Sequence, residues 1–124
     1  MTKRILIIED QEDLRGVLRD LFTNSGFMVV EAADGAAGIA KAKSDRPDVI
    51  LMDIQMPVID GYEATRQIKA DPSLARIPVV AISSFAMKGD EEKARAAGCD
   101  DYVTKPYSPI QLLRMVRGYL GDKA

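Results

Sequence analysis

Three short runs of consecutive apolar residues stand out along the chain, at residues 5–8, 49–52 and 79–82. Each run is rich in β-branched side chains. A strand covered by helices on both faces has this pattern, because neither set of alternate side chains meets water. The pattern therefore predicts three buried strands. Residues 27–32 and 102–104 predict two more strands, the last of them short.

Between the predicted strands, apolar residues recur three and four positions apart, as on one face of an amphipathic helix. The first stripe of this kind consists of Leu14, Val17, Leu18, Leu21 and Phe22. Gly26 follows it as a helix stop. A second stripe near the end of the chain consists of Ile110, Leu113, Val116 and Leu120.

Capping signals place the other helices. Asp34 and Gly35 open a helix that runs to residue 44, and Asp60 caps one over residues 61–70. A fourth helix is predicted over residues 86–97, where Gly98 stops it. Ser108 before Pro109 is an N-cap followed by proline at the first helical position, so the last helix starts there.

The predicted order is strand then helix, five times. Strands joined by crossover helices form a parallel sheet with helices on both faces. A chain of 124 residues has room for one such core. We therefore expect one α/β domain over residues 1–124, with no output domain attached.

Composition excludes several classes of function. The 17 basic and 19 acidic residues leave a net charge of −2, which gives no electrostatic case for binding nucleic acid or an anionic membrane. The chain has no histidine, so an imidazole base and a histidine-ligated metal are excluded. Its single cysteine excludes an internal disulfide. With no secretory signal and no apolar stretch of about 20 residues, we expect a cytoplasmic protein.

Residues that could bind a ligand or react lie at the carboxyl ends of the predicted strands. In an open parallel sheet, ligands bind beyond the carboxyl ends of the strands. Strand one is followed by Glu9 and Asp10, and strand three ends at Asp53. Strands four and five deliver Ser83 and Lys105. Three converging carboxylates favour a hard cation such as Mg²⁺ over zinc, and a lysine with a hydroxyl suits a phosphoryl group. One carboxylate could be the nucleophile that becomes an aspartyl phosphate.

Longer segments around these residues resemble the receiver domains of two-component response regulators, particularly the stand-alone chemotaxis and division-control receivers. The matching segments are residues 8–10, 48–57 with Asp60 and Gly61, 82–84, and 102–106. The similarity runs from Lys3 to Leu120. The resemblance implies a flavodoxin-like fold, with a doubly wound five-stranded parallel sheet of strand order 2-1-3-4-5 and five helices.

The resemblance also implies a role for each matching position. Asp53 would be the phosphoacceptor. Glu9 and Asp10 would hold Mg²⁺ together with Asp53, and Gln55 would add its backbone carbonyl. Gln55 and Phe85 would also flank the path of an attacking water.

Three further positions follow from the resemblance. Lys105 would contact a phosphoryl oxygen and would be joined to Pro106 by a cis peptide bond. Ser83 would hydrogen-bond another phosphoryl oxygen. Ser83 and Tyr102 would form the switch, in which Tyr102 turns inward from solvent as Ser83 is drawn toward the phosphoryl group.

These roles imply a phosphoacceptor signalling module. A histidine kinase or histidine phosphotransfer protein would donate the phosphoryl group, and a downstream protein would read the surface of the fourth helix, fifth strand and fifth helix. The module would catalyse only its own phosphorylation and dephosphorylation, so we expect no turnover enzyme.

Other interpretations stay open at this stage. One alternative is a receiver excised from a larger response regulator or hybrid kinase. An aspartyl-nucleophile phosphatase would want a second acid where Gln55 stands. A flavin carrier of the same sheet order would need a phosphate loop after strand one, where this chain has acidic residues.

Overall fold

Five strands alternate with five helices in the computed structural model, which describes residues 2–83 and 89–121. The elements are β1 (Arg4–Ile8), α1 (Glu12–Asn24), β2 (Met28–Ala32), α2 (Gly35–Asp45), β3 (Val49–Asp53), α3 (Gly61–Ala70), β4 (Val79–Ser83), α4 (Asp90–Ala97), β5 (Asp101–Thr104) and α5 (Pro109–Tyr119). The predicted strand–helix alternation is confirmed.

The five strands form one parallel sheet in the order β2-β1-β3-β4-β5. This is the order that the resemblance implied. The three central strands come from the three continuous apolar runs, and their side chains are almost fully buried. The edge strands β2 and β5 are mostly half-buried, which explains why their sequence signals are weaker.

Alternate side chains of each central strand enter two separate apolar cores. Ile5 and Ile7 of β1 pack on the side of α1 and α5, together with Phe22. Leu6 and Ile8 pack on the opposite side, with apolar residues of α2, α3 and α4. Each face of the sheet is thus covered by helices, so the central strands carry apolar residues on both faces.

Three helix starts are fixed by side-chain caps. Asp34, Asp60 and Ser108 each accept a hydrogen bond from the backbone N–H three residues later, at 2.7, 2.9 and 3.3 Å respectively. Each cap satisfies one of the backbone donors that a helix start leaves unpaired. The capping predictions at Asp60 and Ser108 are confirmed, and Asp34 is the cap of the helix that it was expected to open.

Two residues of the predicted apolar stripes are exposed. Val17 in α1 is 59% exposed and Ile110 in α5 is 63% exposed. The buried face of α5 is formed by Leu112 and Val116, four positions apart. Ile110 lies two residues before Leu112, which is about 200° around the helix. Ile110 is therefore off the buried face, whereas Leu113, Val116 and Leu120 of the predicted stripe lie in or against the core.

Helix α4 begins later than predicted. Its first residue is Asp90, and Gly89 before it has a φ of 90°, in the left-handed region that ends or precedes a helix. Residues 86–88 of the predicted helix lie outside the described residues. Within the described part of the chain, no helix is long and apolar enough to cross a membrane.

Candidate functional site

The predicted acidic residues meet at the carboxyl edge of the sheet. Glu9 and Asp10 directly follow β1, and Asp53 is the last residue of β3, the strand beside it. One carboxylate oxygen from each lies within 4.8 Å of the others. Glu9 is 2% exposed and Asp53 is 5% exposed. The sheet therefore brings together three carboxylates, two of them almost entirely out of water.

This environment makes ionisation of Asp53 difficult. Burial raises the pKa of Asp53, and the hydrogen bond and negative charge of Glu9 raise it further. The ammonium of Lys105 acts in the opposite direction, but the resulting pKa is about 8 instead of the ordinary 3.8. The protein's own positive charges only partly balance the negative charge of such a carboxylate cluster. A bound cation would reduce the repulsion between the carboxylates.

The donor set fits Mg²⁺. All three side chains offer oxygen atoms, which are the ligands that a hard divalent cation prefers. The Oδ1 atom of Asp10 is buried and has no hydrogen-bond partner among the residues that the structure describes. A buried polar atom without a partner is costly, so this oxygen is suited to a ligand.

Lys105 lies where β5 ends, and its ammonium forms an ion pair with Glu9 at 3.2 Å. The side chains are 19% and 3% exposed, so the pair is shielded from solvent. The peptide bond between Lys105 and Pro106 is cis, as expected. The position of Lys105 beside the acidic cluster agrees with the sequence-based expectation, although its pairing with Glu9 was not predicted.

A second basic residue, Arg15 of α1, supports the acidic turn. Its guanidinium donates to the backbone carbonyl of Glu9 at 2.9 Å and to the carboxylate of Glu31 on β2 at 3.2 Å. It thereby ties the turn that carries Glu9 and Asp10 to α1 and β2. Sequence reasoning missed this residue. The only available signal was one arginine behind a run of acidic residues.

Gln55 links the two strand ends that carry Asp53 and Ser83. Its backbone N–H donates to Oδ1 of Asp53 at 3.2 Å. Its side-chain amide donates to the hydroxyl oxygen of Ser83 at 2.9 Å. Sequence analysis gave Gln55 a role through its backbone carbonyl, but the side-chain contact with Ser83 was not anticipated. The other residue of the expected water path, Phe85, lies outside the described residues.

Gly61 allows α3 to begin directly against the acceptor strand. A Cβ at this position would lie 2.4 Å from the backbone oxygen of Asp53. The backbone N–H of Gly61 donates to the carbonyl of Ile54 at 3.1 Å. Any side chain at position 61 would therefore push α3 away from the loop that follows Asp53.

Tyr102 is already turned inward. Its ring packs against the core on the side of α2, α3 and α4, and its hydroxyl is buried without a hydrogen-bond partner among the described residues. Sequence analysis expected the ring to lie in solvent before phosphorylation. The difference arises because the ring buries apolar surface when it packs against this core. The same surface would lie in water if the ring turned outward.

Comparisons with known proteins agree with this architecture. Residues 5–117 match the response regulator receiver domain family. The chain is 43% identical to the polar-differentiation response regulator DivK of Brucella ovis, over 98% of this chain and 99% of that protein. It is 35% identical to the receiver domain of the sensor histidine kinase PA1611 of Pseudomonas aeruginosa, with a TM-score of 0.90 and coverage of 98% and 100%. That structure has a magnesium ion coordinated in its active-site cleft.

A second solved structure, the chemotaxis protein CheY4 of Vibrio cholerae, is 25% identical, with a TM-score of 0.90 and coverage of 96% of this chain and 99% of that one. The similarity thus spans nearly the whole chain in both sequence and fold. The chain belongs to the receiver domain family of two-component response regulators.

Proposed function

We propose that this receiver takes a phosphoryl group onto Asp53 from a phosphohistidine of a histidine kinase or histidine phosphotransfer protein. Hydrolysis returns it to the free carboxylate, and the two states differ in their affinity for a downstream protein. The observation that carries the proposal is the position of Asp53 at the end of a central strand, 5% exposed, beside Glu9 and Asp10. The ammonium of Lys105 lies at the same edge.

The reaction needs the ionised form of Asp53. A carboxylate oxygen attacks the phosphorus, the phosphorus–nitrogen bond of the donor breaks, and the imidazole leaves with the electron pair. The raised pKa of Asp53 opposes this step, because a protonated carboxyl is a poor nucleophile. Bound Mg²⁺ at Glu9, Asp10, Asp53 and the Gln55 carbonyl would supply the positive charge that favours ionisation and balances the phosphoryl oxygens.

Two side chains, one at the end of β4 and one directly after β5, would contact the phosphoryl oxygens. Lys105 provides an ammonium that the structure already holds against a carboxylate. Ser83 follows Ile82, the residue that pairs with Asp53 across β3 and β4. Its hydroxyl can donate to a phosphoryl oxygen, and such a bond to a charged acceptor is stronger than a neutral one.

The chemistry is confined to the protein's own acceptor, so we propose a switch and not a turnover enzyme. Output would be read on the face of α4, β5 and α5, where Tyr102 connects the strand to the core. Because its phosphodonors work in the cytoplasm, we propose the same location for this protein.

The acceptor assignment is tested by incubation with acetyl phosphate and Mg²⁺ followed by intact mass spectrometry. The parent should gain one phosphoryl group, and D53N should gain none. D20N is the matched control, since Asp20 lies on the exposed part of α1 and pairs only with Arg19 among the contacts described. Labelling of D53N at the parental level would refute the assignment.

A further inference from the structure

The hydrogen bond between Gln55 and Ser83 connects the acceptor loop to the residue expected to sense the phosphoryl group. Gln55 is held at its backbone by Asp53, through the N–H that donates to Oδ1. At its other end, the amide donates to the Ser83 hydroxyl oxygen at 2.9 Å. That length is the usual one for such a bond, and Ser83 is fully buried. The position of the hydroxyl oxygen is therefore restrained before any phosphoryl group arrives.

From this geometry we infer that the Gln55 side chain is a positioning residue that holds Ser83 in its unphosphorylated place and opposes the switch. The inference rests on the proposed phosphorylation of Asp53. A contact made in the starting state stabilises that state, so a state in which the hydroxyl has left the amide must give this contact up. The Gln55 amide donates to the hydroxyl oxygen of Ser83, which accepts through a lone pair. The contact therefore restrains the position of the oxygen and does not involve the hydroxyl hydrogen.

The backbone contact of Gln55 makes the restraint responsive to the acceptor. The N–H of Gln55 donates to the same carboxylate that would carry the phosphoryl group. A change at Asp53 therefore acts on both ends of Gln55, on its backbone directly and on its side chain through Ser83. The restraint thus influences how readily the protein passes from its unphosphorylated to its phosphorylated state. The substitution Q55M removes the side-chain contact and keeps the backbone carbonyl that is expected at the metal.

The test uses beryllofluoride with Mg²⁺ as a mimic of the phosphoryl group, with its affinity measured by titration calorimetry. Q55M keeps the length of the side chain but cannot donate a hydrogen bond. It should bind beryllofluoride about threefold to tenfold more tightly than the parent, the range that one neutral hydrogen bond supplies. The amide resonances of Tyr102 and Thr104 should complete their shifts at correspondingly lower beryllofluoride concentration.

A double-mutant cycle with S83A separates this role from a general structural one. In the S83A background the hydroxyl is absent, so Q55M should leave the beryllofluoride affinity unchanged. An equal change in both backgrounds, an unchanged affinity of Q55M, or a weaker affinity would each overturn the inference. These outcomes leave the proposed function intact if acetyl phosphate still labels Asp53. A parent that neither binds beryllofluoride nor accepts a phosphoryl group overturns both proposals.

Discussion

Replacing Asp53 by asparagine should make the metal-free protein more stable at neutral pH. The parent carboxyl is 5% exposed and lies against Glu9, and together these raise its pKa from 3.8 to about 8. Between these two values the native state retains a proton that the unfolded chain has released. The free energy of unfolding therefore falls as the pH rises, by up to about 1.36 kcal/mol per pH unit.

The size of the effect follows from the width of this pH window. From pH 5 to pH 8, Asp53 can destabilise the native state by at most about 4 kcal/mol, because the slope applies over about three pH units. Asparagine carries no titrating proton, so D53N should lack this part of the slope. With a urea dependence of about 2 kcal/mol per molar, the two unfolding midpoints should separate by up to about 2 M between pH 5 and pH 8.

The assay is urea unfolding followed by circular dichroism, in a chelator and at several pH values. D20N is the control, because it removes an exposed carboxyl of the same type and should keep the parental slope. Mg²⁺ should raise the parental midpoint at pH 8 much more than that of D53N, since it stabilises the ionised carboxylate. Parallel pH profiles for the parent and D53N would refute the argument, because the proton would then lie elsewhere.

Three further predictions concern single residues. Val58 is fully exposed and has a φ of 68°, which strains a β-branched residue, so V58G should raise the free energy of unfolding by about 0.5–1 kcal/mol; a lower urea midpoint would contradict this. G61A should lower the urea midpoint by more than about 0.5 M and slow labelling by acetyl phosphate, because its Cβ meets the Asp53 carbonyl at 2.4 Å; parental values of both would show that α3 adjusts freely. Burial raises the pKa of the Cys99 thiol, so the native protein should react with a thiol reagent far more slowly than the urea-unfolded chain, and equal rates would count against its burial.

The sequence predicted the sheet well because burial on both faces leaves a strong pattern. Residues 5–8, 49–52 and 79–82 are apolar at every position, and all of them lie in the central strands. Helix faces were harder to predict. In α5 the predicted stripe includes the exposed Ile110 and misses the buried Leu112, because helical spacing alone does not define the edges of the buried face.

Some residues of the site could likewise be predicted from the sequence, and others could not. The positions of Glu9, Asp10 and Asp53 follow from strand ends, so a parallel sheet brings them together without further information. The contacts of Arg15 and Gln55 depend on side-chain rotamers and on loop paths, which no spacing rule encodes. For the same reason, the inward ring of Tyr102 could not be predicted from its place in the sequence.

The burial of Asp53 connects the fold to the proposed reaction. The sheet keeps this carboxyl out of water, which raises its pKa and favours its protonated form in the metal-free protein. Lys105 cannot compensate fully, since its ammonium is paired with Glu9 at 3.2 Å. A divalent cation at the carboxylates would favour loss of the Asp53 proton and would also weaken the hold of Glu9 on Lys105. In the proposed reaction, Glu9, Asp10 and Asp53 would hold this ion, which would supply the positive charge that favours ionised Asp53, while Lys105 would be available to a phosphoryl oxygen.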